Sequence, residues 1–173
     1  MILGLSVPTF TLLHVIISLV AIGSGLVVVV GMLGSRRMPG WTALFLGMTV
    51  LTSVTGFLFP ITGFTPAQAV GAVSLAILVG ALVALYAQHL EGPWRAIYVV
   101  TVVAALWFNI FVLIVQSFEK LALLNPHAPQ VGPPFAEPTN TLFMIAQGSA
   151  LVLMVVLGIL AVVRFRPAMT QVH

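Results

Sequence analysis

"WRAIYVVTVVAALWFNIFVLIVQSF", Trp94 to Phe118, is the stretch on which the fold turns. After Arg95 it carries no charged residue until Glu119. At about 1.5 Å per residue, a helix of this length crosses the roughly 30 Å hydrocarbon core of a bilayer. Strands of a membrane barrel would alternate apolar and polar side chains, whereas this run is continuously apolar. Two amides interrupt it. Asn109 and Gln116 lie about two turns apart and share one helical face.

Four similar apolar segments flank it, at about Phe10–Leu33, Trp41–Phe59, Pro66–Leu90 and Thr139–Val163. The whole chain is 61% hydrophobic and 5% charged, with a mean hydropathy of +1.22. A soluble domain carries roughly 25% charged residues, so this chain cannot cover itself with a hydrated surface. Only helices or closed barrels satisfy backbone groups in lipid. The expected fold is therefore all-α: a single-domain membrane bundle over residues 1–173, crossing the bilayer five times. The net charge of +3 is too small and too scattered for nucleic-acid binding, and the absence of cysteine excludes disulfides and thiolate chemistry.

The segment breaks carry turn chemistry: "GSRRMPG", "FPITGFTP" and "HLEGPWR". The connection at 119–138 is long and proline-rich, and its "LALL" suits one short interfacial turn of helix. Arg36 and Arg37 follow the first segment, Arg95 opens the fourth, and Arg164 and Arg166 follow the fifth. Five crossings put all of them on one side and Lys120 on the other. By the positive-inside rule the arginine side is cytoplasmic, which sets the N-terminus and the 119–138 loop outside and the C-terminus inside. The first segment has no basic residue before it and no small-residue cleavage site, so it reads as a retained helix. "PGWTALF" (Pro39–Phe45) and "GPWRAIY" (Gly92–Tyr98) open helices from the same side, as duplicated hairpins would. Any inner turn that wants Gly-Pro and then an interfacial Trp would look the same.

Strongly polar side chains gather toward the outer half. His14, Ser53, Thr55, Asn109, Gln116 and Gln147 lie there at related depths, with Gln68 near the start of segment three and Lys120 at the outer surface. Read as a site, His14, Ser53, Asn109, Gln116 and Gln147 line a periplasm-facing polar pocket, and Lys120 draws an anion to its mouth. Read as architecture, they bond helix to helix at around 1 kcal/mol or less each, and Glu119–Lys120 is a solvated helix end. His14 heads a stripe continued by Ser18, Ala21 and Gly25, as in a helix buried against a close neighbour. It is expected to meet Gln147 or Asn109. Haem ligation needs a second histidine at similar depth; His89 is at the opposite end, and His127 lies in an exposed "NPHAP" turn. A copper site with Met144 is weaker still. Nothing in the residues names a cofactor, a metal or a catalytic group. Small-residue faces at Thr49/Ser53/Gly56 and Ala76/Gly80/Ala84 suit close helix packing, and the seven methionines suit filling.

The run "FNIFVLIVQSFEK", the later "PPF" and the closing "RFRP" resemble a group of small, uncharacterised bacterial multi-pass membrane proteins. That resemblance implies a bacterial inner-membrane location and no particular substrate. The expected role is an accessory or structural membrane subunit, held in the lipid bilayer and packing against other subunits or further copies of itself. The alternative is a protein that binds or transports a small quinone-like or lipid-like ligand. A cytochrome-like redox subunit stands behind both.

Overall fold

A computed structural model of the chain describes residues 1–59, 66–120 and 141–166. The described residues form five helices: α1 Val7–Leu33, α2 Pro39–Gly56, α3 Pro66–Leu82, α4 Trp94–Lys120 and α5 Thr141–Arg164. Four are long and apolar enough to cross a membrane: α1, α3 with its extension to Ala87, α4 and α5. The chain is a multi-pass helical membrane protein. α2 is the exception. Its 18 residues span about 27 Å, and Thr42, Thr49, Thr52, Ser53 and Thr55 dilute its apolar character.

Local chemistry moves most of the expected boundaries. Ile2 and Leu5 exchange backbone hydrogen bonds of 2.9 Å around Leu3 and Gly4, whose φ of 50° and 81° make a tight turn. Ser6 then caps α1, its hydroxyl accepting from the Thr9 N–H at 3.3 Å, so the helix begins at Val7 and not at Phe10. Pro39, in the first turn, starts α2 ahead of Trp41. α2 stops at Gly56, because Phe57 and Leu58 bond only three residues back, each at 3.1 Å. α3 passes into a π-helical turn, Val83–Ala87, in which the Gln88 N–H reaches Val83 O at 2.9 Å. His89 and Leu90 follow with φ of 49° and 64°, ending the helix short of Leu90. α4 runs on to Lys120. Expectations for the "LALL" turn, His127, "PPF", residues 139–140 and the end of "RFRP" lie outside the described residues.

α4 is the central helix, packed against α1, α3 and α5, while α2 lies between α1 and α3. Phe45, Val99, Val102, Leu106 and Leu78 form the sealed centre. Since lipid tails are as apolar as leucine, close backbone approach does the work of association. A Cβ on Gly25 would lie 2.8 Å from Leu106 Cδ1 and from Phe45 Cδ2, and one on Gly158 would lie 3.3 Å from Val103 Cγ1. Gly80 meets Thr101 Cγ2 at 3.3 Å in the same way. Of the stripe below His14, Ala21 is fully enclosed and Gly25 buried, while Ser18 is half-buried. On α3, Ala84 is buried but Ala76 is exposed; the inner face runs through Ser74, Leu78 and Ala81. A strict four-residue spacing drifts about 40° round a helix per step, which carries Ala76 off that face.

The hydroxyls on these helices mostly bond their own backbone. Thr11, Ser18, Ser24, Thr55, Thr101 and Ser117 each donate to the carbonyl four residues back, at 2.7–2.9 Å. Ser149 does the same to Ile145 O. At the arginine end, Arg95 donates from Nη1 to Val162 O (3.1 Å) and to Phe165 O, and the Arg166 N–H donates to Ser35 Oγ at 2.8 Å. The C-termini of α1 and α5 and the N-terminus of α4 are thereby tied together. Lys120 lies at the other end.

Candidate functional site

Polarity fixes the depth of a side chain in the bilayer, and helix rotation decides what it meets. His14 on α1 meets α2: its Nδ1 is 2.8 Å from Thr55 Oγ1. The Thr55 hydroxyl gives its one proton to Leu51 O at 2.7 Å, so His14 Nδ1 carries the hydrogen and Thr55 accepts. The ring also stands edge-on to Phe59, with centroids 5.3 Å apart, and Gly56 leaves room for its Cε1. One turn deeper, Ser18 Oγ and Thr52 Oγ1 are 3.3 Å apart, extending the α1–α2 seam.

Asn109 turns to α2 from the other side, donating from Nδ2 to Thr49 Oγ1 at 3.1 Å. Gln147 on α5 donates from Nε2 to the backbone carbonyl of Phe111 on α4 at 3.1 Å. Ser53 is buried at the α2–α3 crossing, where its carbonyl would be 3.8 Å from a Cβ on Gly71. Gln116 stays on its own helix, bonding Glu119 Oε2 at 3.1 Å, and Lys120 is exposed at the end of α4. Each hydrogen bond that these six side chains make goes to a residue outside the set. The partners expected for His14, Asn109 and Gln147, are both engaged elsewhere.

The arrangement holds helices together at three separate seams: α1–α2, α2–α4 and α4–α5. The sequence places Thr55 at the depth of His14 and Thr49 on a small-residue face. It does not join them to His14 and Asn109, because nothing in composition specifies rotation about a helix axis. Nor does it single out Trp107. The Nε1 of Trp107 and the Oε1 of Gln147 are buried with no partner among the described residues, and Trp107 packs on Phe111 at 5.6 Å between ring centroids. Among the described residues no three His, Asp or Glu side chains converge where one metal ion would reach them.

Comparison with protein-family models, with curated proteins and with solved structures finds no match to this chain.

The seams make a measurable distinction between the two amides of α4. Asn109→Leu should cost about 1 kcal/mol of stability in detergent, since it removes an interhelical bond to Thr49. Gln116→Leu should cost less, because Glu119 on the same helix is all it loses. Thermal midpoints of the two variants check this, and an equal or larger loss for Gln116 would contradict the assigned pairs.

Proposed function

We propose that this chain is an accessory or structural subunit of a bacterial inner membrane, related to the small multi-pass proteins that it resembles. The observation that carries the reading is the spending of the polar groups. His14, Asn109 and Gln147, the side chains best suited to seize a ligand, each bond a neighbouring helix. A bundle stapled in this way suits a fixed platform, and α5 leaves Met144, Ile145, Val152, Ile159 and Val163 open to lipid or to a partner helix. Affinity purification from native membranes in mild detergent, followed by mass spectrometry, tests it. A membrane protein should accompany the chain in constant stoichiometry; a chain that always purifies alone would sink the proposal.

A second reading, a periplasm-facing pocket for a quinone-like or lipid-like molecule, rests on the orphaned Trp107 Nε1 and Gln147 Oε1. One supplies a donor and the other an acceptor. Lys120 and Gln116 would sit toward its mouth, with Ser53 deeper in the bundle. The same mass spectra decide between the readings, since this one requires a small molecule retained in place of a partner chain.

Both readings take α2 as a fifth crossing, with the arginine end in the cytoplasm. The charge distribution supports that orientation. Reporter fusions after Arg37, after Gly92 and at the C-terminus should signal cytoplasm, and a fusion near Pro129 should signal periplasm. A cytoplasmic signal at Pro129 would overturn this orientation, either by removing α2 as a crossing or by inverting the whole bundle.

A further inference from the structure

At the arginine end, a cavity of about 160 Å³ opens between the end of α1, the start of α2 and the π-helical turn of α3. Its inner wall is apolar, with Met32, Leu90 and Phe165 all buried. Thr42 and Tyr98, both buried, also line it, and their hydroxyls are 3.4 Å apart, too distant for a strong mutual bond. Arg36 and Arg37 line it from its exposed side, and among the described residues no carboxylate lines it.

Both margins of this cavity are built from unusual backbone. Below the arginines, Ser35 takes a left-handed φ of 55°, and the Arg36 N–H closes back on Gly31 O at 2.9 Å. That pattern is the Schellman stop of a helix, found here with serine where glycine is usual. Ser35 is held further by the Arg166 N–H. Across the cavity, the π-helical turn presents Leu85 and Tyr86, and the left-handed His89–Leu90 pair folds Leu90 inward. π-turns and left-handed residues other than glycine cost energy, and they persist most often where a ligand or a switch makes use of them.

We propose that this cavity binds the phosphate group of an anionic phospholipid, with Arg36 and Arg37 as its cationic partners. Guanidinium forks match phosphate oxygens. The Tyr98 and Thr42 hydroxyls supply donors at the cavity's polar edge. The apolar wall takes the glycerol and the first methylenes, a surface that a free phosphate would leave unused. Positive-inside charge by itself requires arginines near the membrane, but it requires no cavity beneath them.

The test uses the full chain, purified in neutral detergent, with no partner present, so its outcome is independent of the subunit proposal. Phosphatidylglycerol, phosphatidylcholine and inorganic phosphate are titrated in turn while the thermal midpoint is followed, and native mass spectrometry reads retained lipid. Phosphatidylglycerol should raise the midpoint and remain bound, and phosphatidylcholine should do neither. Arg36→Gln and Arg37→Gln should each weaken the apparent affinity about fivefold, and the double variant about 25-fold. Arg164→Gln, an exposed charge outside the cavity, should leave it unchanged. All these side chains are exposed, and the midpoint without lipid verifies that each variant folds. Inorganic phosphate that reproduced the shift and competed with the lipid would keep the site and overturn its assignment to a lipid. Equal responses to both phospholipids, or an equal loss in Arg164→Gln, would overturn the site itself.

Discussion

Gly25→Ala should lower the thermal midpoint of this protein in detergent, although it adds a single methyl group to a helix. The new Cβ would lie 2.8 Å from Leu106 Cδ1 and 2.8 Å from two atoms of the Phe45 ring. Phe45 and Leu106 are fully buried, so neither has room to withdraw. Overpacking of this kind costs about 1–3 kcal/mol, and Gly25→Leu should prevent the α1–α2–α4 crossing from closing at all. Neighbouring glycines provide the controls. A Cβ on Gly23 meets nothing within 4 Å, so Gly23→Ala should be neutral or gain a fraction of the helix propensity that glycine lacks. A Cβ on Gly31 would come within 2.5 Å of the Met38 sulfur, but that contact is the far end of a flexible side chain and can move. Equal midpoints for the alanine variants of Gly23 and Gly25 would show that α1 does not cross its neighbours at Gly25.

Arg95→Gln should release the C-terminus of α5. The guanidinium caps the last carbonyls of that helix by donating to Val162 O and Phe165 O, and its charge complements the negative end of the helix dipole. Hydrogen bonds from charged groups contribute about 1.5–3 kcal/mol, so the loss should be of that order. Arg95→Lys keeps the charge but not the planar geometry that aims Nη1 at both carbonyls, and should recover part of the loss. Because the chain contains no cysteine, an engineered disulfide reads the α4–α5 contact directly. A Cβ on Gly158 would be 3.9 Å from Val103 Cβ, within the range that a disulfide needs. The pair V103C and G158C should oxidise readily in the parent and less completely with Arg95→Gln. Unchanged cross-linking and an unchanged midpoint would show that α5 docks without this cap.

The helices were legible because lipid leaves a backbone few alternatives, and long apolar runs then say where each helix lies. The stripe from His14 to Gly25 was legible for a related reason: small residues at helical spacing are what close approach requires. The pairing of His14 with Thr55 was not. Depth put the two at one level, yet Gln147 and Asn109 were at comparable levels, and only the packing of α1 on α2 selects among them. The π-helical turn was illegible altogether, since "VALYA" is an ordinary helical sequence; the left-handed His89 and Leu90 follow it directly. The arginine-end cavity depends on that turn and was hidden with it.

The hydroxyl groups that bond their own helices bear on how the protein is made. A serine or threonine that donates one turn back has met its need before any other helix arrives, so each segment can leave the insertion channel for lipid alone. The amides of Asn109 and Gln147 bond other helices instead. Synthesis proceeds from the N-terminus, and by the time Asn109 emerges on α4, Thr49 on α2 is already in the membrane. When Gln147 emerges on α5, the Phe111 carbonyl on α4 is waiting. His14 looks forward instead, but only to the very next helix. The order of the helices along the chain thus spares His14, Asn109 and the Gln147 amide nitrogen a long wait in hydrocarbon.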